Sequence, residues 1–310
     1  MNTNDKVAIL LCTYNGEKYL REQVDSIINQ TYKEWVIYVS DDGSTDGTIA
    51  ILEEYQRQLG EDRLFITHGP RKGFAWNFIS SLQNNGINCR YFAFCDQDDI
   101  WYTDKLARGI QYLADFSQRN EPAVYCGRTK LIDGDGQSIG YSPLFEYKPS
   151  FCNALVQSIA GGNTMILNYP AKELVSKTPC YDEIISHDWW IYILVSGCNG
   201  HMYYDPNPSI YYRQHGDNII GSNISMTARV LRIRKLMDGK FKIWNQKNID
   251  LLQNFDAPLT VENKQKLKDF VKLRSSCLVD RFRMFCKLKP YRQTTLGNIA
   301  LFIAVLLKKL

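Results

Sequence analysis

Unbroken apolar runs dominate the first hundred positions. Val7–Thr13 (VAILLCT), Trp35–Ser40 (WVIYVS), Leu64–Thr67 (LFIT) and Tyr91–Cys95 (YFAFC) have the length and the β-branched or aromatic content of buried strands. Helical patterns fill the intervals, at Glu17–Gln30 and Ile49–Leu59. Strand and helix alternate through short connections, which predicts an α/β fold with a mostly parallel sheet flanked by helices. Such sheets bind ligands beyond the carboxyl ends of their strands. Three polar clusters fall there: TYNG at 13–16, DDGSTDGT at 41–48 and DQDD at 96–99.

The last cluster carries the most chemistry. Asp96, Asp98 and Asp99 leave the end of a buried strand together. Such a grouping is costly unless a cation sits nearby. Hard oxygen ligands at this spacing suit Mg2+ or Mn2+, with substrate phosphates completing the shell. An acidic turn capping the helix that starts near Asp104 fits the same residues. No G-x-G-x-x-G or Walker A sequence follows the first strand, which disfavours dinucleotide and P-loop chemistry. Asp42, directly after the second strand, is placed to accept a hydrogen bond from a nucleobase, whereas Asp46 reads as a helix N-cap.

The motifs VAILLCTYNG (7–16), SIINQTY (26–32), VSDDGSTDGT (39–48), FCDQDD (94–99), HDWW (187–190) and YRQHGDN (212–218) occur in an order that resembles family 2 glycosyltransferases with the GT-A fold. The likeness covers about residues 5–220, and the DQDD, HDWW and YRQHGDN variants resemble the bacterial rhamnosyltransferase branch. It implies a Rossmann-related GT-A catalytic domain over 1–222, a nucleotide-sugar donor, a divalent metal and inversion at the anomeric carbon. By this resemblance Thr13, Tyr14 and Asn15 belong to the nucleotide pocket and Asp42 binds the base. Asp96 holds the ribose or a metal water, Asp98 ligates the metal, and Arg71 lies near the donor. Asp188 is the base, in a position preceded more often by Glu than by His187.

Residue types fit that chemistry. A departing sugar diphosphate needs its charge stabilised, and an attacking hydroxyl needs a single carboxylate base. Asp188 falls in the first turn of a helix predicted over His187–Gly197. Spacing alone reads it as a first-turn acid, and the helix N-terminus is expected to lower its pKa. His215 is expected on metal or phosphate, the alternative being an ordinary loop histidine. Arg213 is expected on the diphosphate or in a salt bridge to the metal loop. Gly161 and Gly162, before a strand at Met165–Leu167, would let an acceptor sugar approach closely, or only form a turn. Trp189 and Trp190 are candidates for stacking on the acceptor, with at least one expected in the core.

Composition narrows the field further. A net charge of +4 gives no general nucleic-acid electrostatics. Nine cysteines show no CxxC spacing, which fits reduced thiols rather than zinc. No signal peptide is read, so a cytoplasmic location is expected. From 223 to 310 the chain reads as a helical extension, with helices over 226–253 and 261–288. It is rich in basic residues: Arg229, Arg232, Arg234, Lys235, Lys240 and Lys242, then Arg274 to Arg292. Leu296–Leu307 is apolar but too short to span a bilayer. It is expected either to lie at the inner membrane surface or to pack on the catalytic domain or a homodimer partner. The sequence thus predicts transfer of L-rhamnose from dTDP-L-rhamnose to a glycan or lipid-linked acceptor in surface polysaccharide synthesis. The alternatives are another nucleotide sugar such as a UDP-hexose, a sugar nucleotidyltransferase, or a non-catalytic binding subunit.

Overall fold

The computed structural model describes residues 5–179, 184–215 and 239–310. The first strands are β1 (Val7–Thr13), β2 (Trp35–Asp41), β3 (Leu64–His68), β4 (Tyr91–Cys95), β5 (Ile100–Trp101) and β6 (Ala123–Gly127). They are followed by β7 (Lys130–Ile132), β8 (Ser138–Tyr141), β9 (Ile166–Asn168), β10 (His201–Asp205) and β11 (Ile210–Arg213). Seven of them form one sheet in the order β10-β6-β9-β4-β1-β2-β3. All pair in parallel except β9, which is antiparallel to both neighbours.

The helices are α1 (Leu20–Ile28), α2 (Thr48–Leu59), α3 (Phe74–Leu82), α4 (Lys105–Gln118), α5 (Phe151–Ala154), α6 (Tyr169–Ser176) and α7 (His187–Gly197). Cores lie on both faces of the sheet, which explains why the strand sequences are continuously apolar. Val7, Ile9 and Leu11 face one core with Leu20, Val24 and Leu52, while Ala8 and Leu10 face the other with Phe78, Leu174 and Trp190.

Two features of topology build the site. Because β9 runs against its neighbours, its start lies at the edge where β4 and β6 end. Ile166 sits opposite Ala93 and Tyr125. The turn Gly162–Thr164 is therefore delivered beside the loop that follows Cys95. The second sheet, in the order β5-β11-β7-β8, does the same for the chain after Tyr212. β11 is antiparallel to β5, with Tyr211 opposite Ile100, so the next residues of β11 pass the carboxylate loop.

The chain after 239 forms α8 (Lys240–Asn254), α9 (Val261–Ser275), α10 (Leu278–Leu288) and α11 (Thr295–Leu306). The helix expected over 261–288 is interrupted at Ser276 and Cys277, which adopt extended backbone. Serine side chains compete with the helix ladder, and here Ser276 Oγ bonds back to the Lys272 carbonyl. The strand expected at Met165–Leu167 begins one residue later, after the turn. Arg229, Arg232, Arg234, Lys235, Cys180, the boundary at 222 and the GDN of the YRQHGDN motif lie outside the described residues.

These last helices share the core of the sheet. Phe241, Leu252, Phe270, Leu273, Leu301 and Val305 join the cluster that holds Trp189 and Trp190. Among the described residues, no helix is long and apolar enough to cross a membrane.

Candidate active site

The ends of β1 and β2 are locked together first. Thr13 Oγ1 donates to Asp41 Oδ1 at 2.8 Å, and the Asp41 carboxylate also accepts from Ser44 Oγ and from the N–H groups of Gly43 and Ser44. Burial pushes the Asp41 carboxyl up, but these hydrogen bonds together hold it below the ordinary range. Asn15, left-handed at φ 51°, links the two loops: its N–H donates to Ser44 Oγ and its Oδ1 accepts from the Thr45 N–H. The buried carboxylate after β2 is therefore Asp41, and it organises the loop. Asp42 is only partly buried and accepts from the N–H groups of Arg71 and Gly73 at 2.6 and 3.1 Å. That places Arg71 over Gly43, whose positive φ of 102° and missing Cβ leave room for the guanidinium. The N-cap position of α2 is Gly47, one residue past the Asp46 that the sequence suggests; Asp46 accepts from the Thr48 N–H and from the Glu17 N–H, which ties the two loops together.

The carboxylate loop is tied to everything around it. Gln97 bonds the Tyr14 N–H and carbonyl through both ends of its amide, at 2.8 and 3.0 Å. Tyr14 itself is exposed. Asp99 is fully buried and accepts from Asn163 Nδ2 and the Arg213 N–H. Lys105 is also fully buried, donates to the Asn163 carbonyl at 2.5 Å, and lies over the Trp101 ring. Burial pulls its ammonium down to about 7 against the neighbouring acids, while burial together with Asp98 and Asp96 drives the Asp99 carboxyl well up. Two basic side chains of the protein therefore lie against the clustered carboxylates, and Lys105 is the first.

The second is Arg213, for which the sequence left open the diphosphate or a salt bridge to the carboxylate loop. Its side chain is only 2% exposed and pairs with Glu22 Oε2 at 2.8 Å. It also donates to the carbonyls of Asp98 and Gly134 and lies over the Tyr19 ring. Arg213 thus fixes the backbone of the carboxylate loop. His215, two residues on, meets Asp98 directly, Nε2 to Oδ2 at 2.8 Å, and both side chains keep a partly exposed edge.

Asp188 lies in the first turn of α7 at the same edge. Its Oδ1 accepts from the Trp189 N–H, and Ser186 and the Gly162 N–H also bond to it. The sequence predicts a lowered pKa from the helix N-terminus. Instead burial outweighs those bonds and raises it. Asp96, half-buried, is pushed up to about 7 by burial, then by the charges of Asp98 and of Asp188. The Asp96 carboxyl therefore lies within the fields of both Asp98 and Asp188.

His187 and Gly162 explain each other. The imidazole is buried against Phe78, Phe94 and Phe74, and neither ring nitrogen has a hydrogen-bond partner. Burial lowers it to about 3, so it is neutral. A Cβ on Gly162 would collide with that ring. Gly162 is therefore a packing glycine, and Gly161 is the exposed one. Trp189 is core rather than acceptor surface: its Nε1 donates to the Ala154 carbonyl and its ring stacks on Phe241.

Sequence reasoning missed Gln97, Lys105, Asn163 and Glu22. Gln97 alone left a signal, as the polar residue inside DQDD. Among the described residues no three His, Cys, Asp or Glu side chains converge as a closed metal cage. The Asp98–His215 pair with Asp96 beside it nevertheless suits a cation that takes its other ligands from phosphate and water.

Residues 8–174 match the family described as Glycosyl transferase family 2. A dTDP-rhamnosyl transferase of Shigella flexneri, RfbG, is 31% identical over 268 residues, spanning 84% of this chain and 89% of that protein. An uncharacterized glycosyltransferase of Haemophilus influenzae is 31% identical over 229 residues, 68% of this chain and 66% of that one. Among solved structures, S. aureus TarS in complex with UDP-GlcNAc matches with a TM-score of 0.56 at 17% identity, covering 98% of this chain and 89% of that one. A mannosyltransferase from Pyrobaculum calidifontis in complex with GDP-Man and Mn2+ matches with a TM-score of 0.51 at 16% identity, covering 99% and 87%. The fold shared with these structures is GT-A.

Proposed function

Because this chain belongs to glycosyl transferase family 2, and so is a glycosyltransferase, we propose that it moves L-rhamnose from dTDP-L-rhamnose onto a hydroxyl of a glycan acceptor during bacterial surface polysaccharide synthesis. The likeness to RfbG supports the donor. The convergence of the Asp98–His215 pair and Asp188 at one edge of the sheet is the observation that carries the reaction.

In this reading Asp188 accepts the proton of the attacking hydroxyl. The new glycosidic bond forms at the anomeric carbon as the bond to the diphosphate breaks, so one displacement inverts the configuration. A raised pKa suits a base that works near neutrality. Asp98 and His215, with Asp96 adjacent, would hold Mg2+ or Mn2+, which when bound supplies positive charge that stabilises the departing diphosphate. Tyr14, Asn15, Asp42 and Arg71 surround the place for the nucleotide. Thr13 acts through Asp41 rather than on the donor. Residues 1–222 form the catalytic domain, and the reaction takes place in the cytoplasm, where nucleotide sugars are made.

Calorimetric titration with dTDP-L-rhamnose, UDP-glucose and GDP-mannose, each with Mg2+ and with EDTA, tests the donor. Binding of the dTDP sugar alone, abolished by EDTA, is expected. Preference for another nucleotide overturns the rhamnose assignment. Asp98→Ala is expected to weaken metal-dependent dTDP binding, and wild-type affinity in that variant removes Asp98 from the metal.

A further inference from the structure

α10 and α11 form an antiparallel hairpin. Arg281 near the start of α10 donates through Nη1 to the carbonyls of Val305 and Leu306 at the end of α11, and Phe282 and Phe285 meet Phe302 between the helices. The inner side of the hairpin belongs to the protein core through Leu288, Leu301, Ala304 and Val305. Its outer side is apolar as well. Leu278, Val279 and Phe282 on α10 and Leu296, Ile299 and Ile303 on α11 are each about half exposed. They recur at helical spacing and form rows that meet at the Phe282–Phe302 contact.

A surface helix ordinarily carries charge on its outer face. α11 carries no charged residue at all between Thr295 and Leu306. Twelve residues make a helix of about 18 Å, well short of the roughly 30 Å hydrocarbon core of a bilayer. Such a helix suits burial in the plane of the lipid interface.

Charge selects the occupant. From 278 to 310 there are seven Lys and Arg against one Asp; with Arg281 buried and Lys287 paired to Asp269, Arg283, Lys289, Arg292, Lys308 and Lys309 remain against Asp280. Arg283, Lys289 and Lys308 are exposed at the ends and edges of the apolar rows. A second copy of the chain would bring this positive face against itself. Anionic headgroups would neutralise it while the acyl region receives the isoleucines and leucines.

We propose that the α10–α11 hairpin is an in-plane docking surface for an anionic lipid bilayer. Docking through it also orients the catalytic edge. The linker between the two helices is bonded to the segment around α5: Asn153 Nδ2 donates to the Tyr291 carbonyl, Gln293 Nε2 donates to the Tyr147 carbonyl, and Gln157 Oε1 accepts from the Gln293 N–H. Tyr192 OH and Trp189 Nε1, both on α7, bond to Asn153 and to the Ala154 carbonyl. The helix that carries Asp188 in its first turn is thus fixed to the surface proposed to face lipid.

Flotation of the full chain with vesicles reads this out independently of donor choice and turnover. Wild type is expected to float with vesicles of phosphatidylcholine containing phosphatidylglycerol, to be released by high salt, and to float poorly with phosphatidylcholine alone. Ile299→Asn with Ile303→Asn, and separately Lys308→Glu with Lys309→Glu, are each expected to weaken binding about tenfold or more. Circular dichroism of both variants should match wild type, because Ile299, Ile303 and Lys308 are exposed and Lys309 is only partly buried. Failure of wild type to float with anionic vesicles overturns the proposal, as does wild-type flotation by both variants. Sedimentation showing a dimer that the isoleucine substitutions dissociate also overturns it and assigns the face to a second copy.

Discussion

Asp188 and its neighbours concentrate the chemistry at the level of single side chains. Replacing Asp188 by Asn removes the proposed proton acceptor and leaves the shape. The expected outcome is a fall in kcat of about 100- to 10,000-fold with donor affinity unchanged, measured by initial rates and calorimetry. Retained turnover would remove Asp188 as the base. Because only the ionised carboxylate accepts a proton and burial raises its pKa, kcat in wild type should decline on acidification from a pH above the ordinary carboxylate range. The preceding residue gives a stability signature. His187 is held near 3 in the fold against about 6.5 in the unfolded chain, so between those values the unfolded state binds the extra proton. Stability should therefore be complete above pH 6.5 and decline as pH drops towards 3. His187→Leu should flatten that part of the urea-midpoint profile, and an unchanged slope would mean the imidazole is not buried neutral. The identity of these residues was legible, since HDWW sits on a predicted helix. Their electrostatics were not: the sequence shows a helix start, which lowers a carboxyl pKa, but not the buried packing that outweighs it.

Elements explain why residues so far apart in sequence meet. The strands β1, β2 and β4 were readable because both their faces are buried, and the polar clusters at their ends were readable with them. The antiparallel course of β9 was not, since a three-residue strand carries no directional signal. Yet that course brings Asn163 to Asp99 and Gly162 to Asp188. Lys105 was hidden for a related reason. In sequence it is a first-turn lysine, a place usually exposed, and only the fold buries it over Trp101 beside Asn163. Its coupling to Asp99 is measurable. Both groups bond to Asn163, so Lys105→Met and Asp99→Asn each leave a buried polar member of that network without its partner, and each alone should be costly. Together they should cost less than their sum by about 0.5–3 kcal/mol in a urea-unfolding cycle. Strict additivity would show that the two groups do not form one network. The turn before β9 offers a second test. Gly162→Ala should destabilise by about 1–3 kcal/mol through overpacking against His187. Adding His187→Ala should recover part of that loss, while no recovery would mean the glycine is required for its backbone alone.

The two parts of the chain look separable in sequence, an α/β motif series followed by basic helices, but they are one body in space. Phe270 and Leu273 of α9, Leu288 of α10, Leu301 and Val305 of α11 and the final Leu310 share a core with Trp189 and Trp190 of α7. Composition could not reveal this, because an apolar tail of twelve residues suits a lipid face and a protein face equally; α11 buries one side in the core and leaves the other exposed. Fully burying a large apolar side chain contributes about 1.5–3 kcal/mol, while a whole domain is stable by only about 5–15 kcal/mol. Ending the chain after Ser276 removes Leu288, Leu301, Ala304, Val305 and Leu310 and uncovers their partners on α9. That loss is comparable to the total stability. The shortened chain is therefore expected to lose the cooperative urea transition and, with it, nucleotide-sugar binding. Full-length protein should unfold in a single transition whether followed by far-ultraviolet dichroism or by tryptophan fluorescence, since Trp189 and Trp190 lie where the two parts join. A shortened chain with an unchanged midpoint and intact donor binding would instead make the C-terminal helices an independent attachment, and α7 would then carry no mechanical link to the hairpin proposed to face lipid.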